Sequence, residues 1–143
     1  MTIAIVNTDM NVGPFKIPGN GQNMILNNYA ERNKIVVEEI IPEPFMSNAL
    51  ATTQWIHKKK KLKKVILCSI HQLPQKKNRI EDLINTMEDV EFHFALESIF
   101  GKGRKFLLDC INEAKKFKEA KIIDSTKTTW SELYKLKLKE SKK

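Results

Sequence analysis

The chain has 143 residues, with 25 Lys and Arg against 17 Asp and Glu, and a formal net charge of +8. That length fits a single domain. An apolar fraction of 41% is enough for a core, so we expect the chain to fold on its own and not to be a disordered segment. No segment approaches the roughly 18 apolar residues of a membrane span, and the first residues lack the basic start of a signal peptide. We therefore expect a cytoplasmic protein without a membrane span.

Apolar periodicity predicts alternating strands and helices. In chain order the predicted elements are a strand over 2–7, a long loop over 9–21, a helix over 22–33, a strand over 34–40, a helix over 46–60, a strand over 64–70, a helix over 78–87, a strand over 90–96 and a helix over 104–118. The Pro and Gly residues of the loop are expected to exclude both helix and regular strand. Asn20 or Gln22 is the expected cap of the first helix, and Ser47 or Asn48 that of the second.

This alternation predicts a three-layer α/β domain over residues 1–118. Its sheet is expected to be mostly parallel, with four to five strands, and flavodoxin-like or resolvase-like in strand order. The strand over 64–70 is apolar on both faces, as in a strand that helices cover on both sides. Residues 119–143 form a lysine-rich extension, in which the spacing of four apolar residues is compatible with a short helix: Trp130, Leu133, Tyr134 and Leu138.

Lysine carries almost all of the positive charge. The chain has 22 Lys but only three Arg, and arginine is the usual reader of bases and phosphates. Nine basic residues and no acidic residue occur over positions 58–79, which we call the basic segment. The segment is either a surface for nucleic acid or a membrane, or a solvated helix end, where lysines favour the helix dipole. We prefer the second interpretation.

In parallel α/β sheets, ligands bind beyond the carboxyl ends of the strands, which selects the loops after the predicted strands. The first of these loops holds Lys16, and Gln22 and Asn23 open the following helix. Because a helix N-terminus attracts anions through its free N–H groups, these three residues are predicted to bind an anionic group. The glycine spacing matches neither a P-loop nor a dinucleotide-binding motif, so the alternative is that Gly and Pro only shape the loop.

Four polar residues follow the third and fourth strands: Ser69, His71, Gln72 and Glu97. If these strands are adjacent, His71 and Glu97 meet at the sheet edge as candidates for acid–base catalysis, beside Ser69 and Gln72 as ligand-binding groups. The alternative, which we favour, is that all four line a binding crevice without catalysis.

The other histidines and the two cysteines predict no chemistry. His93 alternates with phenylalanines in a strand and is expected to be structural, whereas His57 is expected to be exposed on its helix. Cys68 and Cys110 lie in apolar patterns and are expected to be buried, inert thiols. Scattered histidines without paired cysteines predict no metal site, and no cofactor is expected.

The order of elements from Ile3 to Phe117 resembles the catalytic domain of the serine recombinases, the resolvases and invertases. Gln22 and Asn23 resemble the glutamine-rich start of the first recombinase helix. Residues 70–75, Ile-His-Gln-Leu-Pro-Gln, fall where recombinases carry Leu-Asp-Arg-Leu-x-Arg, and residues 103–108 fall where their long dimer helix begins.

The recombinase chemistry does not carry over. Lys16 and Pro18 stand where that family has an arginine and its nucleophilic serine, and proline has no hydroxyl. The aspartate and both arginines of the second motif are His71, Gln72 and Gln75 here, so the cationic groups that stabilise a phosphoryl transition state are mostly absent. The resemblance therefore implies the fold without the recombination activity.

Four short motifs occur in the same order as in a second family. They are residues 15–18 (Phe-Lys-Ile-Pro), 22–30 (Gln-Asn-Met-Ile-Leu-Asn-Asn-Tyr-Ala), 68–74 (Cys-Ser-Ile-His-Gln-Leu-Pro) and 93–97 (His-Phe-Ala-Leu-Glu). They resemble the sporadic carbohydrate cluster protein family, which occurs in bacterial gene clusters for surface polysaccharide such as lipopolysaccharide or capsule. This resemblance implies a biosynthetic context and no particular reaction.

Three functions follow as hypotheses. The leading one is a protein of surface-carbohydrate biosynthesis that binds or modifies a sugar or nucleotide-sugar in the strand-end crevice. The first alternative is a catalytically inactive resolvase-like module that binds nucleic acid through lysines. The second is a non-catalytic partner subunit that uses residues 104–118, through which the chain would also form a homodimer.

Overall fold

The computed structural model describes residues 1–44 and 49–127, with side chains as far as Phe117. The predicted caps Ser47 and Asn48 lie outside the described residues, as do the four apolar residues of the extension, Trp130, Leu133, Tyr134 and Leu138. No described helix is both long and apolar enough to cross a membrane.

The strands of the described residues form two sheets. In chain order they are β1 (Thr2–Asn7), β2 (Asn11–Val12), β3 (Phe15–Lys16), β4 (Glu39–Glu43), β5 (Lys64–Leu67), β6 (Glu91–Phe94) and β7 (Ile99–Gly101). The main sheet has the order β4-β1-β5-β6-β7, with β7 antiparallel to β6 and all other pairs parallel. The remaining two strands, β2 and β3, form an antiparallel hairpin. The prediction of a mostly parallel sheet is therefore confirmed.

Helices cover both faces of the main sheet. They are α1 (Gly19–Arg32), α2 (Ala51–Lys59), α3 (Lys77–Met87) and α4 (Arg104–Lys127), and a short 3₁₀ turn covers Ile70–Gln72. On one face, Leu26 and Tyr29 of α1 pack with Ala4 and Ile66 of the sheet. On the other face, apolar side chains of α3 and α4 pack together against the sheet, and α2 adds the partly buried Ile56. This arrangement confirms the three-layer α/β prediction.

β5 is the central strand, and both of its faces are buried. Val65 and Leu67 belong to the cluster beneath α2, α3 and α4, whereas Ile66 and the following Cys68 belong to the cluster beneath α1. All four side chains are fully buried, as the apolar run predicted. Burial of such side chains is the main favourable term that holds the layers together.

The second strand lies later in the chain than predicted. The prediction of 34–40 was wrong at both ends, because β4 runs from Glu39 to Glu43 and includes Pro42. Lys34 adopts a φ of 55° directly after α1, which turns the chain there instead of extending it. Proline is tolerated in β4 because β4 pairs only with β1, which makes it an edge strand.

The Pro- and Gly-rich stretch is more regular than predicted. Gly13, with a φ of 62°, allows the tight turn between β2 and β3, and α1 begins at Gly19. Pro18 precedes the helix with a φ of −57°, close to the value that its ring fixes, and no side chain caps this helix. The predicted caps Asn20 and Gln22 were therefore wrong, because both residues lie inside α1.

Other boundaries also differ from the predictions. α2 begins at Ala51 and not at residue 46, and β6 covers only Glu91–Phe94 of the predicted strand over 90–96. The third strand ends at Leu67, because Ile70 already belongs to the 3₁₀ turn. The fourth helix was predicted to end at residue 118, whereas α4 continues to Lys127. Among the residues of α4 whose side chains the structure describes, four are buried against the sheet: Leu107, Cys110, Ile111 and Ala114.

Substitution of two glycines tests how tightly the hairpin packs on the domain. A Cβ on Gly13 would overlap the Cβ of His71, and the φ of 62° is itself unfavourable for alanine. Gly13→Ala should therefore destabilise the protein by more than about 1 kcal/mol. Gly19→Ala is the matched control, because a Cβ there meets no atom within 4 Å. It should be neutral or stabilise by up to about 1 kcal/mol.

Urea unfolding monitored by circular dichroism measures both changes. Equal unfolding free energies for the two variants would show that the hairpin does not pack against His71 as described.

Candidate functional site

The carboxyl ends of β5 and β6 bring two predicted residues together. The two strands are adjacent, so Glu97, which follows β6, reaches the loop after β5. The Ser69 hydroxyl donates to Glu97 Oε2 at 2.9 Å, and the Ile70 backbone N–H donates to Glu97 Oε1 at 2.7 Å. The expected meeting of these polar groups at the sheet edge is therefore observed for Ser69 and Glu97.

These contacts hold the 3₁₀ turn in place. The His71 backbone N–H donates to Ser69 Oγ at 3.2 Å, and the Ser69 backbone N–H donates to Gln72 Oε1 at 3.1 Å. The side chains of Ser69, Gln72 and Glu97 thus satisfy three backbone N–H groups that would otherwise lack partners. Both carboxylate oxygens of Glu97 are used to position the turn.

The His71 side chain lies between two aromatic rings. Its ring centre is 6.1 Å from that of Phe15 in the hairpin and 5.1 Å from that of Phe117 in α4. Burial lowers the pKa of His71 from its usual value of 6.5, although the nearby charge of Glu97 acts in the opposite direction. Among the described residues no hydrogen bond joins the His71 ring to Glu97. The assignment of this pair as catalytic stays a prediction.

Gln22 ties the hairpin to the end of β1. Its Oε1 accepts the Asn7 backbone N–H at 2.8 Å, and its Nε2 donates to the carbonyls of Asn7 and Ile17 at 3.0 and 2.8 Å. The side chain is fully buried, so a ligand would have to break these bonds to reach it. Its predicted role in ligand binding remains a prediction.

The other predicted binding residues differ in environment. Lys16 is exposed on β3. Asn23 Oδ1 and Gln72 Nε2 are buried and have no hydrogen-bond partner within the part of the chain that the structure describes. Buried polar atoms without partners are costly, so both mark places where water or a ligand atom would be favourable.

The cysteines are buried, as predicted. Burial raises the pKa of the Cys68 thiol to about 12, with a smaller contribution from the Glu97 charge. Burial likewise raises the pKa of Cys110 to about 11. Thiols with such pKa values are poor nucleophiles near neutral pH. The described His, Cys, Asp and Glu residues contain no group of three that would hold a metal ion.

Three side chains form a series of hydrogen bonds beneath α1. The sequence predicted a structural role for His93 but not its hydrogen-bond partners. The Tyr29 hydroxyl lies 2.7 Å from His93 Nδ1, and His93 Nε2 lies 2.8 Å from Glu91 Oε2. The ionised Glu91 carboxylate can only accept, so Nε2 donates to it, and this hydrogen bond lowers the pKa of Glu91. A neutral imidazole with its proton on Nε2 accepts the Tyr29 hydroxyl at Nδ1. Phe100 stacks on the outer face of the imidazole at 5.1 Å. The hydrogen bonds join α1 to β6, and the stacked Phe100 adds a contact with β7.

His57 is buried, so its predicted exposure was wrong. Its Nδ1 accepts the Leu62 backbone N–H at 2.9 Å, and its Nε2 lies 3.2 Å from Asp89 Oδ1. These bonds hold the lysine-rich turn between α2 and β5 against the domain. A histidine beside a lysine run gives no sequence signal for such a role, because its partner Asp89 is 32 residues away.

The basic segment does not form one continuous patch. The central strand β5 runs through the middle of the segment. One half of the segment therefore lies at the amino-terminal end of β5 and the other half beyond its carboxyl-terminal end. Five exposed lysines precede the central strand, and we call them the lysine cluster: Lys58, Lys59, Lys60, Lys61 and Lys63. The other half, which contains Lys76 and Lys77, lies at the start of α3.

An open cleft lies beside the lysine cluster, between α2 and α3. It has a volume of about 330 Å³ and is lined by Ala49, Ala51, Gln54, Trp55, Lys58 and Asp82. The Trp55 side chain is 61% exposed, and Lys59 Nζ lies 5.9 Å from the centre of its ring. The sequence did not predict this site, because the cleft lies on a helix face and away from the strand ends.

Comparison with known proteins supports the fold. No family model matches the chain, and no curated protein matches it. A solved structure, the N-terminal catalytic domain of the TP901-1 integrase, is similar with a TM-score of 0.55 and 18% sequence identity. The similarity covers 83% of this chain and 99% of that domain. At this identity the likeness shows the fold alone, and the fold is that of a serine recombinase catalytic domain. The predicted resolvase-like fold is thus confirmed.

The pH dependence of folding tests the environment of His71. Its pKa is lowered in the folded state, so the unfolded chain takes up a proton at higher pH than the folded chain does. His71 therefore contributes stability above its ordinary pKa of 6.5, and this contribution is lost as the pH falls through the folded value. A nuclear magnetic resonance titration of the His71 ring should give a midpoint below 6.5, and one at or above 6.5 would contradict the described burial.

Proposed function

We propose that this chain is a resolvase-fold module that binds nucleic acid through the lysine cluster and the α2–α3 face, without strand-exchange activity. The observation that carries the proposal is an exposed tryptophan, Trp55, directly beside this cluster. Lysines supply attraction to phosphates, and an exposed indole supplies a surface on which a base can stack.

The charge around Trp55 supports this proposal. No ion pair among the described residues engages the lysine cluster, whereas Lys64 and Lys116 are paired with Glu91 and Glu113. These five ammonium groups, at the end of α2 and in the turn after it, repel one another, and a polyanion relieves that repulsion. The bonds of His57 to Leu62 and Asp89 fix the turn, which limits the ordering cost of binding.

The absence of strand exchange rests on the resemblance to serine recombinases. Pro18 stands where the nucleophilic serine of that family would be, and it precedes α1 in the structure. Gln72 stands at a position of a recombinase arginine, and its side chain is buried against Ser69. Pro18 has no group that can attack a phosphoryl group, and Gln72 lacks the positive charge with which an arginine stabilises its transition state.

Sugar or nucleotide-sugar binding at the strand-end crevice is the second candidate. The observation in its favour is the pair of buried polar atoms without partners, Asn23 Oδ1 and Gln72 Nε2. Against it, the hairpin packs on His71, and the Gln22 amide is already fully hydrogen-bonded. A carbohydrate-biosynthesis role stays a prediction, since the comparisons offer nothing for or against it.

The third hypothesis was a partner subunit or homodimer that uses residues 104–118. The apolar residues of this helix segment are mostly buried against the sheet, whereas Phe117 is 46% exposed beside Phe15. A dimer through this segment would therefore rest on Phe117 and its neighbours. It too remains a prediction.

Charge removal at the two halves of the basic segment tests the leading proposal. We expect the combined variant Lys58→Gln, Lys59→Gln, Lys60→Gln and Lys61→Gln to lower the affinity for nucleic acid at least tenfold. The matched control is Lys76→Gln with Lys77→Gln, which lies at the other sheet edge and should change the affinity less than threefold. Fluorescence anisotropy with labelled oligonucleotides measures both, and thermal unfolding shows that both variants remain folded.

Salt dependence provides the second arm of this experiment. If about four lysines contact phosphates, affinity for a single strand should fall about 50-fold between 50 and 200 mM salt. The proposal would be contradicted if both variants bound nucleic acid as tightly as the unmodified protein. Binding to anionic lipid vesicles in the absence of any oligonucleotide binding would also contradict it and assign the cluster to a membrane surface.

A further inference from the structure

The cleft beside Trp55 points to the form of nucleic acid that this surface takes, an inference that rests on the proposed function. We infer that the chain binds single strands, with one unpaired base stacked on Trp55 in the α2–α3 cleft. The phosphates of that strand lie along the lysine cluster.

Trp55 supplies the stacking surface. It lies on the outer side of α2 with 61% of its surface exposed, although tryptophan is usually packed against other residues. Lys59 Nζ lies over one face of the ring, 5.9 Å from its centre, so a base stacks on the opposite face of this indole. Stacking on an aromatic side chain, with a cation beside it, is the common way in which proteins hold bases of a single strand.

The lining of the cleft separates the base from the phosphates. Its volume of about 330 Å³ is at the lower end of the range of about 300–1,000 Å³ for small-molecule pockets. The α3 side of the cleft carries Asp82, and the α2 side carries Lys58. A carboxylate repels phosphate but accepts hydrogen bonds from the amino group of a base. The cleft therefore suits a base, and the lysines that follow Trp55 suit the backbone.

The same geometry disfavours duplex binding. Bases in a duplex are stacked on one another, so none can present its face to Trp55 without being flipped out at a cost. Asp82 also favours bases with an exocyclic amino group over thymine, whose ring N–H lies between two carbonyl oxygens. Oligomers of adenine or cytosine should therefore bind more tightly than oligomers of thymine, and a duplex should bind through the lysines alone.

Trp55 fluorescence tests this inference directly. The chain has two tryptophans, so Trp130→Phe leaves Trp55 as the sole reporter. Titration with a 12-residue deoxycytidine or deoxyadenosine oligomer should quench this fluorescence, whereas a duplex of equal length should not. Trp55→Ala should lower single-strand affinity about tenfold and leave duplex affinity within twofold, and Trp55→Phe should restore part of the loss.

Asp82 gives an independent arm. Asp82→Ala should remove the preference for cytosine and adenine over thymine while leaving Trp55 quenching in place. Both Trp55 and Asp82 are exposed, so these variants are expected to fold, which circular dichroism verifies. One result would overturn this inference and leave the proposed function intact. In that result, oligonucleotide binding depends on the lysine cluster, Trp55 fluorescence does not change, and Trp55→Ala binds as tightly as the unmodified protein. Failure of every oligonucleotide to bind would overturn both.

Discussion

Burial of β5 on both faces is the constraint on which the other features depend. Val65 and Leu67 must be covered from one side and Ile66 from the other, which requires helices on both faces of the sheet. The same burial separates the two halves of the basic segment. A strand with two buried faces has room for lysines only at its ends, so the lysines lie before and after β5. Lys63 therefore lies at the opposite sheet edge from Lys76, and the surface charge has a position that composition alone does not show.

Strong periodic patterns predicted the element types, whereas the exceptions arose from contacts that are distant in sequence. β1 was predicted with its observed bounds, and the apolar stripe of α3 was found within one residue. The position of β4 was missed because an edge strand tolerates Pro42, which a propensity argument treats as a stop. The hairpin was missed because Gly13 makes a tight turn, and its packing against His71 depends on tertiary structure.

Topology predicted part of the strand-end site and did not predict its chemistry. The meeting of Ser69 with Glu97 follows from adjacent parallel strands, which alternation of strands and helices implies. The side-chain partners of His71 do not follow from it, because Phe15 and Phe117 come from two other elements. Topology also does not predict that Trp55 is exposed. Its exposure depends on which face of α2 meets α3, and an irregular apolar pattern does not specify that face.

We propose that the α2–α3 face, and not the strand-end crevice, is the surface that binds nucleic acid. Two-dimensional ¹H–¹⁵N nuclear magnetic resonance spectra of the labelled protein, with and without a single-stranded oligonucleotide, test it most directly. We expect chemical-shift changes at the Trp55 indole N–H and at the backbone of Lys58, Lys59 and Asp82, with little change at Ser69. Changes confined to the residues around Ser69, or a spectrum that does not respond, would contradict it.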